Sequence, residues 1–258
     1  MQTATDNKTT DKEAATTAEE VVRIEHLSKA FGTHEVLKDI NLHLDKGENL
    51  VVMGKSGTGK SVLIKCMVGL MDPDGGSICI FGKSVPDLDE KELNDVRKKI
   101  GFLFQSAALY DSMTVRENLE FPLRDNKEIS SDEKTKMVEE VLNNVGLLEA
   151  IDKMPSELSG GMRKRIGLAR TLIQRPDIIL YDEPTTGLDP ITSREISHLI
   201  LDIQKKYGSA ALIITHDLDC AHITGNRIIL LNEGLVIAEG TYDDLKSSKD
   251  ERVCDFFK

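Results

Sequence analysis

Several features that would assign this 258-residue chain to a class at once are missing. Its cysteines have no CxxC spacing, so we expect unpaired thiols in a reducing compartment, not a zinc site or a disulfide framework. No apolar run approaches the roughly 18 residues that a membrane-spanning helix needs. The formal net charge of −11 disfavours nucleic acid as a partner, because neutralising phosphates requires a basic surface.

The first 20 residues also lack the apolar segment of a signal peptide. They are rich in threonine, alanine and charged residues, which predicts a disordered tail, since such a segment buries too little apolar surface to become ordered. The alternative is a short strand that extends the domain after it. The rest of the chain is long enough for one large α/β domain or two small ones.

From residue 21 onward, strand patterns alternate with amphipathic helical patterns. Helical patterns dominate between residues 114 and 162, and the strongest one covers 130–148. The alternation predicts an α/β fold with a mostly parallel sheet covered on both faces. We therefore predict one domain over residues 21–248, interrupted by a helical subdomain at about 106–162, with a short C-terminal tail at 249–258. Strand patterns lie at 21–27, 35–44, 49–53, 77–81, 100–105, 177–181, 210–215, 227–231 and 235–238.

A glycine-rich loop at 54–61 fits the pattern G-x-x-x-x-G-K-[ST] between a strand and a helix. Such a loop turns several backbone N–H groups toward one anion, and the following helix directs its positive end to the same place. We expect Lys60 to reach the β- and γ-phosphates of a nucleotide and the Ser61 hydroxyl to bind Mg²⁺. A simple glycine-rich turn is the alternative. The expected nucleotide contacts here are Gly54, Lys55, Ser56, Gly57, Thr58, Gly59, Lys60, Ser61 and Val62.

Polar residues also end three other strands of the predicted sheet. Asp182 stands where a P-loop enzyme holds Mg²⁺, and Glu183 could deprotonate a water in line with the γ-phosphate. The alternative is that both acids cap the next segment. His216 and Gln105 each follow a strand; alone, such a histidine is more often structural and such a glutamine is weak evidence. Both gain weight as members of the set.

A second glycine motif, Ser159-Gly160-Gly161, opens a predicted helix and would leave free N–H groups at its positive end. By itself the motif is typical of an ordinary helix N-cap. The basic residues that follow, 163–165, allow two interpretations, a solvated face or added positive potential near a phosphate.

Together these motifs resemble the nucleotide-binding subunit of ATP-binding cassette (ABC) transporters over about residues 21–245. The resemblance implies a P-loop NTPase with a RecA-like, mostly parallel sheet, an antiparallel β subdomain and an inserted helical subdomain. It makes residues 54–61 the Walker A motif and residues 158–162 the family signature. The implied catalytic residues are Glu183, His216, Gln105 and Lys60, and the implied metal ligands are Ser61, Gln105 and Asp182.

The same resemblance assigns further contacts with ATP. Phe31 would stack on adenine, at a position where the family usually carries tyrosine. Asp189 belongs to the D-loop that follows the catalytic glutamate. In this family two subunits meet head to tail, so Ser159, Gly160 and Gly161 would close on ATP held by the second copy.

Three segments are similar to one branch of the family, the ATPase of Mla-type (maintenance of lipid asymmetry, MCE-associated) phospholipid transporters. They cover residues 104–118, 158–165 and 185–192; Ala107 departs from the glycine that many members carry. This implies an ATPase at the cytoplasmic face of the inner membrane, docked on a multi-spanning permease through residues near 106–118. An MCE-domain lipid-binding protein and a small cytoplasmic accessory subunit are further implied partners.

Two other functions stay open at this point. The cargo could be lipoprotein, an amino acid or a metal. A soluble ABC ATPase acting on DNA or ribosomes is disfavoured, since the chain has no coiled-coil insertion, zinc cysteines or second cassette, and its charge is acidic.

Overall fold

The computed structural model describes residues 19–124 and 126–257. The predicted tail at 1–20 therefore lies outside the described residues, except for Glu19 and Glu20. Glu20 begins the first strand, and the Glu19 carbonyl accepts a hydrogen bond from the Lys46 backbone N–H.

A four-stranded antiparallel sheet is built from β1 (Glu20–Phe31), β2 (His34–Asp45), β4 (Gly75–Ile80) and β5 (Lys83–Ser84), in the order β2-β1-β4-β5. The two-residue β5 has no signal in the sequence. Ile24 pairs with Leu42 on one side and with Ile78 on the other, and all three side chains are buried. Such alternation of buried and exposed positions is what a sheet with one covered face requires.

The larger sheet has six strands in the order β10-β9-β3-β8-β7-β6, of which the inner ones run parallel and β10 is antiparallel to β9. The mostly parallel sheet predicted from the sequence is confirmed. Every residue of β3 and β8 is buried, as expected for strands covered on both faces. The strands are β3 (Asn49–Met53), β6 (Ile100–Leu103), β7 (Ile178–Asp182), β8 (Ala210–Thr215), β9 (Arg227–Asn232) and β10 (Leu235–Gly240).

Two apolar cores lie on opposite faces of this sheet. Leu50 and Val52 of β3 contribute to the core shared with the antiparallel sheet, whereas Val51 and Met53 contribute to the core shared with the helices. The side chains of one strand reach both cores because successive residues point to opposite faces. The large sheet therefore packs against an apolar core on each of its two faces.

The region predicted to be helical, 114–162, contains α3 (Val115–Glu120) and α4 (Ser131–Asn144), and α5 (Gly160–Leu172) begins at its end. Helix α4 begins at a capping box between Ser130 and Glu133, as its sequence suggests. It ends four residues earlier than the apolar pattern, because the N–H groups of Gly146 and Leu147 bond back to carbonyls of the last turn and close it. The remaining helices are α1 (Lys60–Met67), α2 (Glu90–Arg97), α6 (Pro190–Tyr207), α7 (Leu218–Thr224), α8 (Tyr242–Lys246) and α9 (Glu251–Cys254).

Candidate active site

Four neighbouring parallel strands end at one edge of the large sheet, and the predicted site residues follow them directly. Gly54 follows β3, Gln105 comes shortly after β6, Glu183 follows β7, and His216 follows β8. Ligands of open parallel sheets collect at this edge. The four residues line one cavity of about 610 Å³. We call residues 54–61, 182–183 and 216 the cavity edge.

The glycine-rich loop runs from β3 into α1 and depends on a left-handed residue at its end. Gly59 has φ 98°, and a Cβ there would lie 2.7 Å from the Leu37 Cδ2 and 2.9 Å from the Val36 carbonyl oxygen. Glycine is needed at this position because a side chain would be both strained and in collision with β2. Helix α1 then begins at Lys60, so its N-terminus faces the cavity.

Lys60 is held inside the loop. Its Nζ donates hydrogen bonds to the carbonyl oxygens of Gly54, at 2.7 Å, and Lys55, at 3.0 Å, and lies 3.7 Å from Glu183 Oε1. Burial lowers the pKa of Lys60, although the carboxylates of Glu183 and Asp182 oppose the shift. The ammonium group is therefore desolvated and positioned next to the carboxylate of Glu183.

Ser61 and Asp182 meet in the same place. The Ser61 Oγ donates to Asp182 Oδ1 at 3.4 Å, and burial raises the pKa of the Asp182 carboxyl, an effect that neighbouring Glu183 increases. A hydroxyl and a carboxylate form an oxygen donor pair that suits Mg²⁺, which keeps several waters and phosphate oxygens as its other ligands. Among the residues described, no group of three or more His, Cys, Asp and Glu is placed to hold a metal ion. The exposed Gln105 lines the same cavity.

Glu183 adopts a left-handed backbone conformation with φ 50°, which is uncommon for a residue with a side chain. Its side chain is 13% exposed; His216 Nδ1 lies 2.8 Å from Oε2, and the Thr186 hydroxyl donates to the same oxygen at 3.1 Å. Strained residues persist where the surroundings fix them, and they concentrate at functional sites. The turn aims a carboxylate into the cavity, where it could accept a proton.

The signature residues lie elsewhere and do not line this cavity. Ser159 is the N-cap of α5, as its Oγ accepts from the Met162 N–H at 3.2 Å, so the ordinary cap is present. Asp189 caps α6 by accepting from the N–H groups of Ile191 and Thr192. The two helix starts are in contact, since a Cβ on Gly161 would lie 2.6 Å from Thr192 Cγ2. We call residues 159–161 and 189 the signature surface.

The basic residues 163–165 lie in three different environments. Neither a solvated face nor added positive potential near a phosphate describes all three. Arg163 is exposed and donates to the Leu158 carbonyl at 2.8 Å, and Arg165 forms an ion pair with Glu195 at 2.8 Å. Lys164 is buried, and its Nζ donates to the Glu183 carbonyl oxygen at 3.0 Å. Burial lowers the pKa of Lys164 to about 8, with the carboxylates of Glu183 and Asp182 opposing the shift.

Phe31 lies at the end of β1 with 49% of its surface exposed. Its neighbours Ala30 and Gly32 line a second cavity together with Ser56, Gly57 and Thr58, although Phe31 is not among the residues that line it. Sequence reasoning did not identify Val36, Asp255 and Phe256, which line the first cavity. These three have no motif, and the fold alone brings them there.

The sequence model of the family described as "ABC transporter" matches residues 37–186, more than half of the chain. The chain belongs to the ABC transporter family. As a member it binds ATP with Mg²⁺ and is an ATPase. The predicted P-loop fold is also confirmed by the solved structures below.

Among curated proteins, a methionine import ATP-binding protein of Rhizobium johnstonii is 39% identical over 88% of this chain and 62% of its own length. A probable ribonucleotide transport ATP-binding protein of Mycobacterium leprae is 39% identical over 91% of this chain and 68% of its own length. The chain thus spans roughly two thirds of the curated relatives that it matches.

Solved structures show the same fold. CbiO1 from Clostridium perfringens, part of the ABC transporter complex cbiONQ, aligns with a TM-score of 0.83 and 30% identity over 90% of this chain and 92% of its own. The ATP-binding cassette MJ0796, in a dimeric post-hydrolysis state bound to ADP and Pi, aligns with a TM-score of 0.78 and 34% identity over 86% of this chain and 98% of its own.

Proposed function

We propose that this chain is the ATP-hydrolysing subunit of a membrane transporter and that two copies of it complete each ATP site. The proposal depends above all on the carboxylate of Glu183 at the cavity edge. Its Oε2 contacts His216, and its Oε1 lies 3.7 Å from the Lys60 Nζ. A carboxylate, a histidine and a phosphate-binding lysine in one cavity are the groups that hydrolysis of a γ-phosphate requires.

Each residue of the cavity edge has a role in this proposal. Lys60 and the N–H groups of the glycine-rich loop bind the β- and γ-phosphates. Glu183 accepts a proton from the attacking water; its Oε1 faces the ammonium group of Lys60, while Oε2 is held by His216 and Thr186. Ser61, Asp182 and Gln105 would hold Mg²⁺, which when bound neutralises charge on the phosphate oxygens.

The position of the signature surface supports the head-to-tail pair. Ser159 is exposed and lies at the N-terminus of α5, which attracts phosphate, yet it does not line the cavity of its own chain. Its N–H groups therefore suit a phosphate brought by a second copy. The γ-phosphate contacts then favour the closed pair, and hydrolysis removes that preference.

Glu183→Gln tests the hydrolytic role. Purified variant should release phosphate about 10²- to 10⁴-fold more slowly, since a general base contributes that much, while ATP still binds and still drives dimerisation. Glu139→Gln, at an exposed position of α4, is the matched control and should keep wild-type activity. Phosphate release near the wild-type rate from Glu183→Gln would contradict the assignment.

The transporter is proposed to move phospholipid, with a multi-spanning permease that docks near residues 106–118. Support comes from the similarity of residues 104–118, 158–165 and 185–192 to Mla-type ATPases. The names of the curated relatives instead mention methionine and ribonucleotide transport, so an amino acid is the alternative cargo. Across the described part of the chain, no helix is long and apolar enough to cross a membrane. In this proposal the chain binds the cytoplasmic face of the inner membrane through that permease.

Purification of the tagged chain from mildly solubilised membranes tests this assembly. A multi-spanning protein together with an MCE-domain protein, with or without a small accessory subunit, is the expected result. If a multi-spanning protein co-purifies with a soluble receptor for an amino acid, the cargo is an amino acid and not a phospholipid. If no multi-spanning protein co-purifies under cross-linking, the transporter role is wrong.

A further inference from the structure

Lys164 is a buried lysine in α5 that the roles above do not use. It is 5% exposed, and its Nζ donates to the backbone carbonyl oxygen of Glu183 at 3.0 Å. A lysine loses favourable hydration and rotamer freedom when it is buried, so its presence beside this carbonyl needs a compensating interaction. The hydrogen bond to Glu183 is that interaction.

The carbonyl that Lys164 holds belongs to the left-handed residue of the site. The Glu183 N–H donates to the Ile214 carbonyl oxygen of β8 at 2.9 Å, and the Glu183 carbonyl accepts from Lys164. One tether comes from the sheet and the other from α5. Together they fix both peptide groups of a backbone conformation that glutamate otherwise disfavours.

Helix α5 also contacts the segment that follows β6, the strand next to β7. Arg170, a further turn and a half along, donates to the carbonyl oxygens of Ala107 at 3.1 Å and Ala108 at 2.9 Å. Both alanines are also left-handed, with φ 60° and 47°, and they follow Gln105 by two and three residues. The helix that begins at the signature surface thus holds backbone turns beside two residues of the cavity.

We propose that Lys164 is a positioning residue for Glu183. From α5 it fixes the left-handed turn at Glu183, and through α5 it couples that turn to the docking of Ser159 on the ATP of the second copy. The proposal rests on the proposed function, because it takes Glu183 as the general base. A rigid helix that binds one nucleotide at its start and holds the base for the other nucleotide links the two sites of the pair. In this way the docking of α5 at one site influences the rate of hydrolysis at the other.

Lys164→Met tests the positioning role, because methionine fills a similar volume and cannot donate. We expect kcat for ATP hydrolysis to fall by roughly tenfold to a hundredfold, as for a reacting group displaced by about 1 Å, with KM and ATP affinity unchanged within about twofold. Lys164→Gln keeps a donor and should recover part of the rate. Lys136→Met, at an exposed position of α4, is the control and should match wild type.

A double-mutant cycle separates positioning from general damage. In the Glu183→Gln background, Lys164→Met should lower the residual rate by less than about twofold, because the base that it positions is already absent. An equal loss in both backgrounds, or a loss explained by weaker ATP binding, would overturn the proposal. If Lys164→Met does not give a cooperative thermal transition, the cycle is run with Lys164→Gln. A Glu183→Gln single variant that is as fast as wild type refutes the general base instead, whatever Lys164 does.

The Hill coefficient for ATP hydrolysis tests the link between the two sites. Wild type should be cooperative, and Lys164→Met should have a Hill coefficient nearer to one. If Lys164→Met lowers kcat but leaves the Hill coefficient unchanged, Lys164 does not couple the two sites.

Discussion

The cavity edge and the signature surface are both built from a glycine motif at a helix N-terminus, yet they differ in how complete they are. At the cavity edge, Lys60, Ser61, Asp182, Glu183 and His216 contact one another within a concave site. At the signature surface, Ser159 and Asp189 cap the helices that follow them, and Ser159 is exposed to solvent. The cavity edge thus has the groups for hydrolysis within one chain, whereas the signature surface is exposed to a ligand or partner from outside the chain.

This difference explains why the signature surface alone cannot hydrolyse ATP and depends on a cavity edge. A helix N-terminus attracts phosphate wherever it is, but a general base and a metal-binding pair make the cavity edge reactive. At the signature surface, the carboxylate of Asp189 caps α6 by accepting from the N–H groups of Ile191 and Thr192. Variants that damage one region and spare the other should therefore separate nucleotide binding from pairing.

The largest expected effect comes from Ser159→Arg, which adds bulk at an exposed position without entering a core. ATP hydrolysis should fall at least about a hundredfold, the rate cost of misplacing groups around a reacting phosphate, while the monomer binds ATP as wild type does. Sedimentation with ATP and hydrolysis assays would measure this. Ser131→Arg, exposed at the start of α4, is the control. Loss of ATP affinity in Ser159→Arg would place the signature in the site of its own chain.

Lys60→Ala should have the next largest effect and act on the opposite property. Loss of charge-assisted hydrogen bonds of about 1.5–3 kcal/mol should weaken ATP binding roughly tenfold to a hundredfold. Isothermal titration of ATP with purified protein gives the affinity. Lys65→Ala, one turn later and exposed on α1, should bind normally. Equal affinities for Lys60→Ala and wild type would refute the phosphate role of the loop.

Phe31→Ala should have the smallest effect, since the ring is half exposed and stacks at most on one face of adenine. An aromatic contact of about 0.5–1.5 kcal/mol predicts a threefold to tenfold loss of ATP affinity, with kcat unchanged. Phe31→Tyr should bind as tightly as wild type. Titration with ATP and with a ribose triphosphate that lacks the base distinguishes stacking from phosphate binding, because only ATP affinity should respond.

Much of the cavity edge was predictable because its residues follow apolar strands directly. Gly54, Glu183 and His216 each come after a buried strand, and parallel neighbours bring such positions to one edge. The sequence could not reveal that Lys164 is buried behind Glu183, since its neighbours Arg163 and Arg165 make it look like part of a surface run. Nor could it predict β5 or the approach of Phe256 to the cavity, because both depend on long-range packing without a local signal.

Mixing two impaired variants tests whether the cavity edge of one chain works with the signature surface of another. Lys60→Ala retains its signature surface, and Ser159→Arg retains its cavity edge. In a mixed pair, one site combines the two intact halves, so ATP hydrolysis should rise well above the sum of the two separate variants. Phosphate release that stays at the sum of the two separate variants, in mixtures shown to contain mixed pairs, would contradict the account.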